Sequence, residues 1–137
     1  MADNFKLTVL TPKQKVFDGE VSTFTAPGFT GDFGVLPGHV AFITAVTPGA
    51  LLIESAEGRS LWAVGAGFAQ VSADKVSLVV SEATEASKVD ADQARRDITE
   101  AESALMDASP GEDAYNTATA RQAIALGRLA AVDRLRG

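Results

Sequence analysis

Cysteine is absent from the 137 residues, which excludes disulfides, thiolate zinc sites and cysteine nucleophiles together and is compatible with a reducing compartment. Histidine occurs once, at His39, so multi-histidine metal sites are excluded too, and no metal is expected. Basic charge is scarce. Twelve Lys and Arg against eighteen Asp and Glu leave a net charge of -6, which disfavours nonspecific binding to nucleic acid or anionic lipid. Charged residues vanish between positions 33 and 53, a span long enough for a membrane helix on length alone. Pro37, Gly38, His39, Pro48 and Gly49 would break such a helix twice and suit turns between buried strands. The opening MADNFK lacks the apolar core of a secretory signal, so no export is expected.

What remains is a chain with 46% hydrophobic and 22% charged residues, a composition that folds. Its length suits a compact domain plus an appendage. Up to about Ala83 the pattern is short strands, nine or ten of them, with alternation at Phe5, Leu7 and Val9 and again at Val76, Leu78 and Val80. Turn residues recur at Asp18-Gly19, Pro27-Gly28, Pro37-Gly38, Pro48-Gly49, Glu57-Gly58 and Ala73-Asp74, the spacing of a sandwich or barrel. Trp62 and most of the seven phenylalanines are read as core, with Phe29 and Phe33 flanking a glycine-rich tip.

After Ser87 the period changes to that of a helix. Ala94, Ile98, Ala101 and Leu105 form an apolar stripe, and Asp90 and Asp92 suit the positive end of the helix dipole. Ser109-Pro110-Gly111 ends this helix. A second is expected from near Asp113 almost to Gly137, with one stripe at Ala118, Ala125, Leu129 and Val132 and another at Ala120, Ile124, Ala131 and Leu135. The predicted class is therefore α+β in two domains: an antiparallel β-sandwich over residues 1–86 and an antiparallel helical hairpin over 87–137. Charge follows the same division. Residues 1–88 carry nine acids and six bases, residues 89–112 seven and two, and residues 113–137 two and four. An acidic segment preceding a basic one favours their lying side by side and leaves the basic one able to seek an acidic partner. Alanine-rich helices bury little area per residue, so the hairpin is either a movable arm or a permanently folded pair.

Three separated blocks carry glycine: PGFTGDFGVLPGH at 27–39, TPGALL at 47–52 and GAGFAQV at 65–71. None ends in the Gly-Lys-Ser/Thr of a phosphate loop, and the glycines are read as turn devices. An acid-base pair of Asp32 and His39 beside Thr30 lacks the repeated polar constellation of an active site. The order and spacing of these blocks, with the opening LTVLTPKQKVFDGEVSTFTAPG and the alanine-rich tail, resemble the epsilon subunit of bacterial F-type ATP synthases, called delta in mitochondria. The resemblance runs essentially end to end.

The resemblance implies a non-catalytic rotor subunit of the central stalk that needs no cofactor. Its sandwich would join the gamma subunit to the membrane-embedded c-ring of a proton-driven synthase, with catalysis in the alpha and beta subunits. It implies a peripheral location on the cytoplasmic face of a bacterial inner membrane, held through the complex only. Gly31, Asp32 and His39 are the candidates at the c-ring or gamma interface; the glycines are equally explained as turn formers. For the hairpin, the resemblance implies an inhibitory extension that meets an acidic segment of beta through Arg121, Arg128, Arg134 and Arg136. A solvated basic face or pairing within the chain explains these cations as well. Some members of that family also bind ATP through Ile or Leu, Asp, two variable residues, Arg and Ala. The matching stretch here has Asp90 and Ala94 but Gln93 in place of arginine, and an amide cannot replace a forked phosphate donor; Arg95 and Arg96 point elsewhere round the helix. Weak or absent ATP binding is expected. A free-standing ligand or nucleotide sensor, with the hairpin closing over the sandwich, is the alternative.

Overall fold

A computed structural model describes residues 4–35 and 41–136. The Pro37-Gly38 turn and His39 lie outside the described residues. Ten strands precede two helices: β1 (Phe5–Leu10), β2 (Lys15–Val21), β3 (Thr23–Gly28), β4 (Gly31–Val35), β5 (Phe42–Val46), β6 (Gly49–Ser55), β7 (Gly58–Val64), β8 (Gly67–Val71), β9 (Lys75–Val80), β10 (Ala83–Glu85), then α1 (Ala91–Met106) and α2 (Asp113–Arg136). A single 3-10 turn at Ala86–Lys88 joins the two parts. The strands run in the order β10-β7-β6-β3-β5-β8-β9-β1-β2, with β4 on β3. The charge-free run thus contributes to β4, β5 and β6, largely buried along β6 but with only Val35 and Val46 buried in β4 and β5.

The sheet folds over one core because alternate residues of nearly every strand point the same way. Leu7 and Val9 from β1, Phe24 from β3, Leu51 and Ile53 from β6, and Val76, Leu78 and Val80 from β9 are all buried in it. Phe5 and Phe33 flank Phe24, with ring centroids 6.1 and 6.4 Å away. All described pairings are antiparallel except one, since β1 runs parallel to β9. Alternation alone does not reveal strand direction, and the expected antiparallel sandwich carries this one parallel pair.

Two expected turns are strand instead. Asp18 and Gly19 lie within β2, opposite Thr8 and Leu7, where Lys6 and Lys15 hold the Asp18 carboxylate at 3.6 and 3.2 Å. The hydrogen bond from Lys15 is the main cause of a lowered Asp18 pKa. Pro27 and Gly28 end β3, paired with Asp32 and Gly31, so the chain reverses at Phe29 and Thr30. Gly31, at φ 122°, follows that reversal in a conformation open to glycine at little cost.

The helices begin and end where the sequence indicates. The Asp90 side chain accepts from the Gln93 backbone N–H and caps α1, and Gly111, at φ 93°, lies in the link before α2. On α2 the first expected stripe is sound, with Ala118, Ala125 and Val132 buried. The second is partly corrected. Ala120 is exposed and Leu135 half exposed, whereas Gly127, which no hydrophobic pattern marks, is buried.

Candidate functional site: an open sandwich face, a tip and a docked hairpin

The two outer faces of the folded sheet have different fates. Helix α2 packs across β6 and β7, where Ala131 meets Ala50, Ala63 and Ala86, with Leu61 and Val89 at the edge. Glycine makes the approach close. A Cβ added at Gly127 would lie 2.7 Å from the Gly49 nitrogen, and one added at Gly49 would lie 2.7 Å from the Pro27 ring. Helix, turn and strand are therefore stacked through positions with no side chain to spare. The TPGALL block is the hairpin's seat.

The other outer face is covered by none of the described residues. Ala45 on β5 opposes Phe68 on β8, Phe68 opposes Val79 on β9, and Val79 opposes Leu10 on β1. Ile43, two residues from Ala45, extends this row. Ile43 and Phe68 are 70% and 45% exposed, an apolar patch of the sort that marks a protein interface. The core reading of the phenylalanines therefore holds for Phe5 and Phe24 but fails for Phe42 and Phe68, which are exposed, as is Phe29 at the tip. Sequence reasoning missed this face because its residues sit in charge-free strands that look like core. The odd-numbered phase of β5, carrying Ile43 and Ala45 out of register with buried Val46, was the available signal.

The expected cationic residues of α2 are mostly engaged within the chain. Arg121 lies 3.5 Å from Glu100 of α1. Arg128 donates to Glu82 at 2.5 Å and lies 3.9 Å from Asp97. Arg134 donates to Asp32 at 2.7 Å, joining the helix end to the tip formed by β3 and β4. Arg136 borders a hollow with Asp90, Asp92 and Arg95. The structure thus brings Asp32 and Arg134 together and keeps Gly31 beside them in the tip. The six- and seven-residue spacing of the arginines faces them to internal carboxylates.

The stretch matching the nucleotide motif is occupied by its own hydrogen bonds. Asp90 caps α1, Ala94 is buried, and the Gln93 side chain donates to Asp97 at 2.8 Å and accepts from Arg96 at 2.9 Å. The hollow beside Asp90, Gln93, Lys88 and Arg128 measures about 180 Å³, below the roughly 300–1,000 Å³ of small-molecule pockets. Among the described residues no group of three or more His, Cys, Asp or Glu side chains could hold a metal ion, and no helix is long and apolar enough to cross a membrane.

Known proteins share this sequence pattern and this fold. Residues 4–86 match the family described as the ATP synthase delta/epsilon chain, beta-sandwich domain. The ATP synthase epsilon chain of Geobacter metallireducens is 36% identical over 129 residues, covering 94% of each chain. This chain belongs to the ATP synthase delta/epsilon family. The epsilon chain of a Synechococcus strain is 42% identical over 98 residues, covering 72% of this chain and 73% of that one. The delta/epsilon fold extends through the hairpin. A chain of the Euglena gracilis mitochondrial ATP synthase, solved as its OSCP/F1/c-ring assembly, superposes with a TM-score of 0.84 at 23% identity, covering 96% of this chain and 83% of that one. A central stalk/c-ring chain from Tetrahymena thermophila gives 0.64 at 17% identity over 93% and 96%. Within this delta/epsilon chain Asp32 meets Arg134, while Ile43 and Phe68 stay exposed among the described residues.

Proposed function

We propose that this delta/epsilon chain works as a non-catalytic rotor subunit of an ATP synthase, its sandwich clamped between gamma and the c-ring. Torque from ion flow through the ring must pass to gamma without slip, and a rigid two-faced sandwich serves as the link. The observation that carries the assignment is the uncovered apolar row through Ile43, Ala45, Phe68, Val79 and Leu10 in a chain of this family, which suits a large obligate partner. Gamma is assigned to this face. The tip bearing Gly31 and Asp32 is assigned to the c-ring's polar loops, where a carboxylate accepts from Arg or amide donors.

Residues 1–86 form the coupling unit in this reading, and residues 87–137 a regulatory one. Docked as described, Arg121, Arg128 and Arg134 are spent on internal carboxylates; released, they become available to an acidic segment of beta, with Arg136 alongside. Proton coupling and a place on the cytoplasmic face of a bacterial membrane complete the proposal. The sensor alternative is not favoured, because Asp90 and Gln93 spend their polar groups on α1 itself and Ala94 is buried.

Copurification and ATP hydrolysis test it. The full chain and a chain stopped at Ser87 are both expected to bind gamma and the alpha-beta-gamma head, with only the full chain slowing hydrolysis. Phe68→Ser and Ile43→Asp should lose gamma while the isolated chain stays folded, since both side chains already face solvent. Retained gamma binding in both variants would remove this face from the assignment. Titration of the free chain with ATP is expected to show no saturable binding in calorimetry, and binding that depends on Asp90 would revive the sensor reading.

A further inference from the structure

The last turn of α2 is held differently from the rest of the helix. Packing against the sandwich ends with Ala131 and its alanine neighbours. Beyond it, Arg134 and Leu135 border a hollow of about 580 Å³ whose other walls are Thr25, Leu52, Leu61 and Arg59, and Leu135 is 50% exposed. Over this hollow the turn is tied to the sandwich by the Arg134–Asp32 pair. Asp32 stands on the strand that follows the Phe29–Thr30 reversal, and Phe29 is 87% exposed, so the tip presents an apolar knob beside a carboxylate that is already taken.

We infer that the tip and the end of α2 are competing claimants on one ion pair, so that a basic or amide-donating partner at Asp32 loosens the last turn of α2, and release of α2 strengthens the tip's hold on that partner. This rests on the c-ring assignment of the tip made above and adds a direction of control to it. A single acceptor carboxylate, that of Asp32, is shared, and the coupling is reciprocal by thermodynamic necessity: the factor by which the ring shifts the helix end toward its open state equals the factor by which opening tightens the ring. Both side chains of the pair are nearly half exposed, at 45% and 44%. The coupling is therefore that of a surface pair, about two- to fivefold. That is enough to bias a weakly docked alanine hairpin without locking it.

The test follows amide exchange along α2 in the full chain, alone and with detergent-purified c-ring, for the native sequence, Asp32→Asn, Arg134→Gln, the double variant and the swap Asp32→Arg with Arg134→Asp. Each single change is expected to speed exchange in the last turn about two- to fivefold, the double variant no further, and the swap to restore slow exchange while abolishing ring binding. Arg134→Gln should tighten the ring by the same factor, and added ring should speed exchange in the native chain but not in Arg134→Gln. If Asp32→Asn weakens ring binding while Arg134→Gln leaves it unchanged, the competition is overturned and the c-ring assignment stands. If neither variant alters ring binding, both fall.

Discussion

Gly127 shows how much of this molecule depends on atoms that are missing. A methyl group there would meet the backbone of the Pro48-Gly49 turn at 2.7 to 3.0 Å, and backbone cannot swing aside as a flexible side chain can. Overpacking of this kind costs about 1–3 kcal/mol. The roughly 1 kcal/mol gained in helix propensity acts on α2 whether it is docked or free and does not offset the loss. Gly127→Ala is therefore expected to raise amide exchange across α2 about tenfold or more while β9 exchange and urea unfolding of the sandwich are unchanged. Gly67 tells the same story inside the sheet, where an added Cβ would run into the Val79 carbonyl of β9. The glycine blocks were visible in the sequence and carried the family resemblance. Their reading as turn devices was right for Gly31 and Gly58, whose φ angles are positive. It was incomplete for Gly49 and Gly67, whose need, like that of Gly127 outside the blocks, is space against residues distant in the chain.

At the scale of elements, the hairpin combines a small-residue interface with a row of ion pairs. Arg121, Arg128 and Arg134 tie α2 to α1, to the segment between β9 and β10, and to β4. Exposed pairs contribute about 0.2–1 kcal/mol each and are screened by salt. Raising salt from about 0.1 M to about 1 M shortens the Debye length from about 10 Å to about 3 Å. Exchange in α2 is expected to rise severalfold over that range relative to β9, and α2 exchange indifferent to salt would show that alanine packing alone holds the hairpin. The helices were legible to within a few residues because Asp90, the Ser109-Pro110-Gly111 break and the 3.6-residue stripes are local signals. Their ion pairs were only half legible. The charge split between 89–112 and 113–137 foretold Arg121 with Glu100, but Glu82 and Asp32 lie 46 and 102 residues from their arginines, and no local pattern records such a meeting.

For the whole molecule, the sandwich core is built from strands alone, and the hairpin adds a separate small cluster. A chain stopped at Ser87 should therefore fold by itself, its melting temperature lowered by no more than about 8 °C, the shift of roughly 1 kcal/mol in a domain this size. A truncated chain without a cooperative melt would make the hairpin part of the core instead. The uncovered β5-β8-β9-β1 face was the least legible part of the architecture, since the phase of β5 is its one local mark and the side chains of Ile43 and Phe68 are as apolar as an interior. The parallel meeting of β1 with β9 bears on how the chain is made. Strand β1 stays without its inner neighbour until residue 80 has emerged, so the sheet cannot close before then. The hairpin, which follows the strands in the chain, then finds its β6 and β7 seat already assembled, and the regulatory arm is added to a finished clamp.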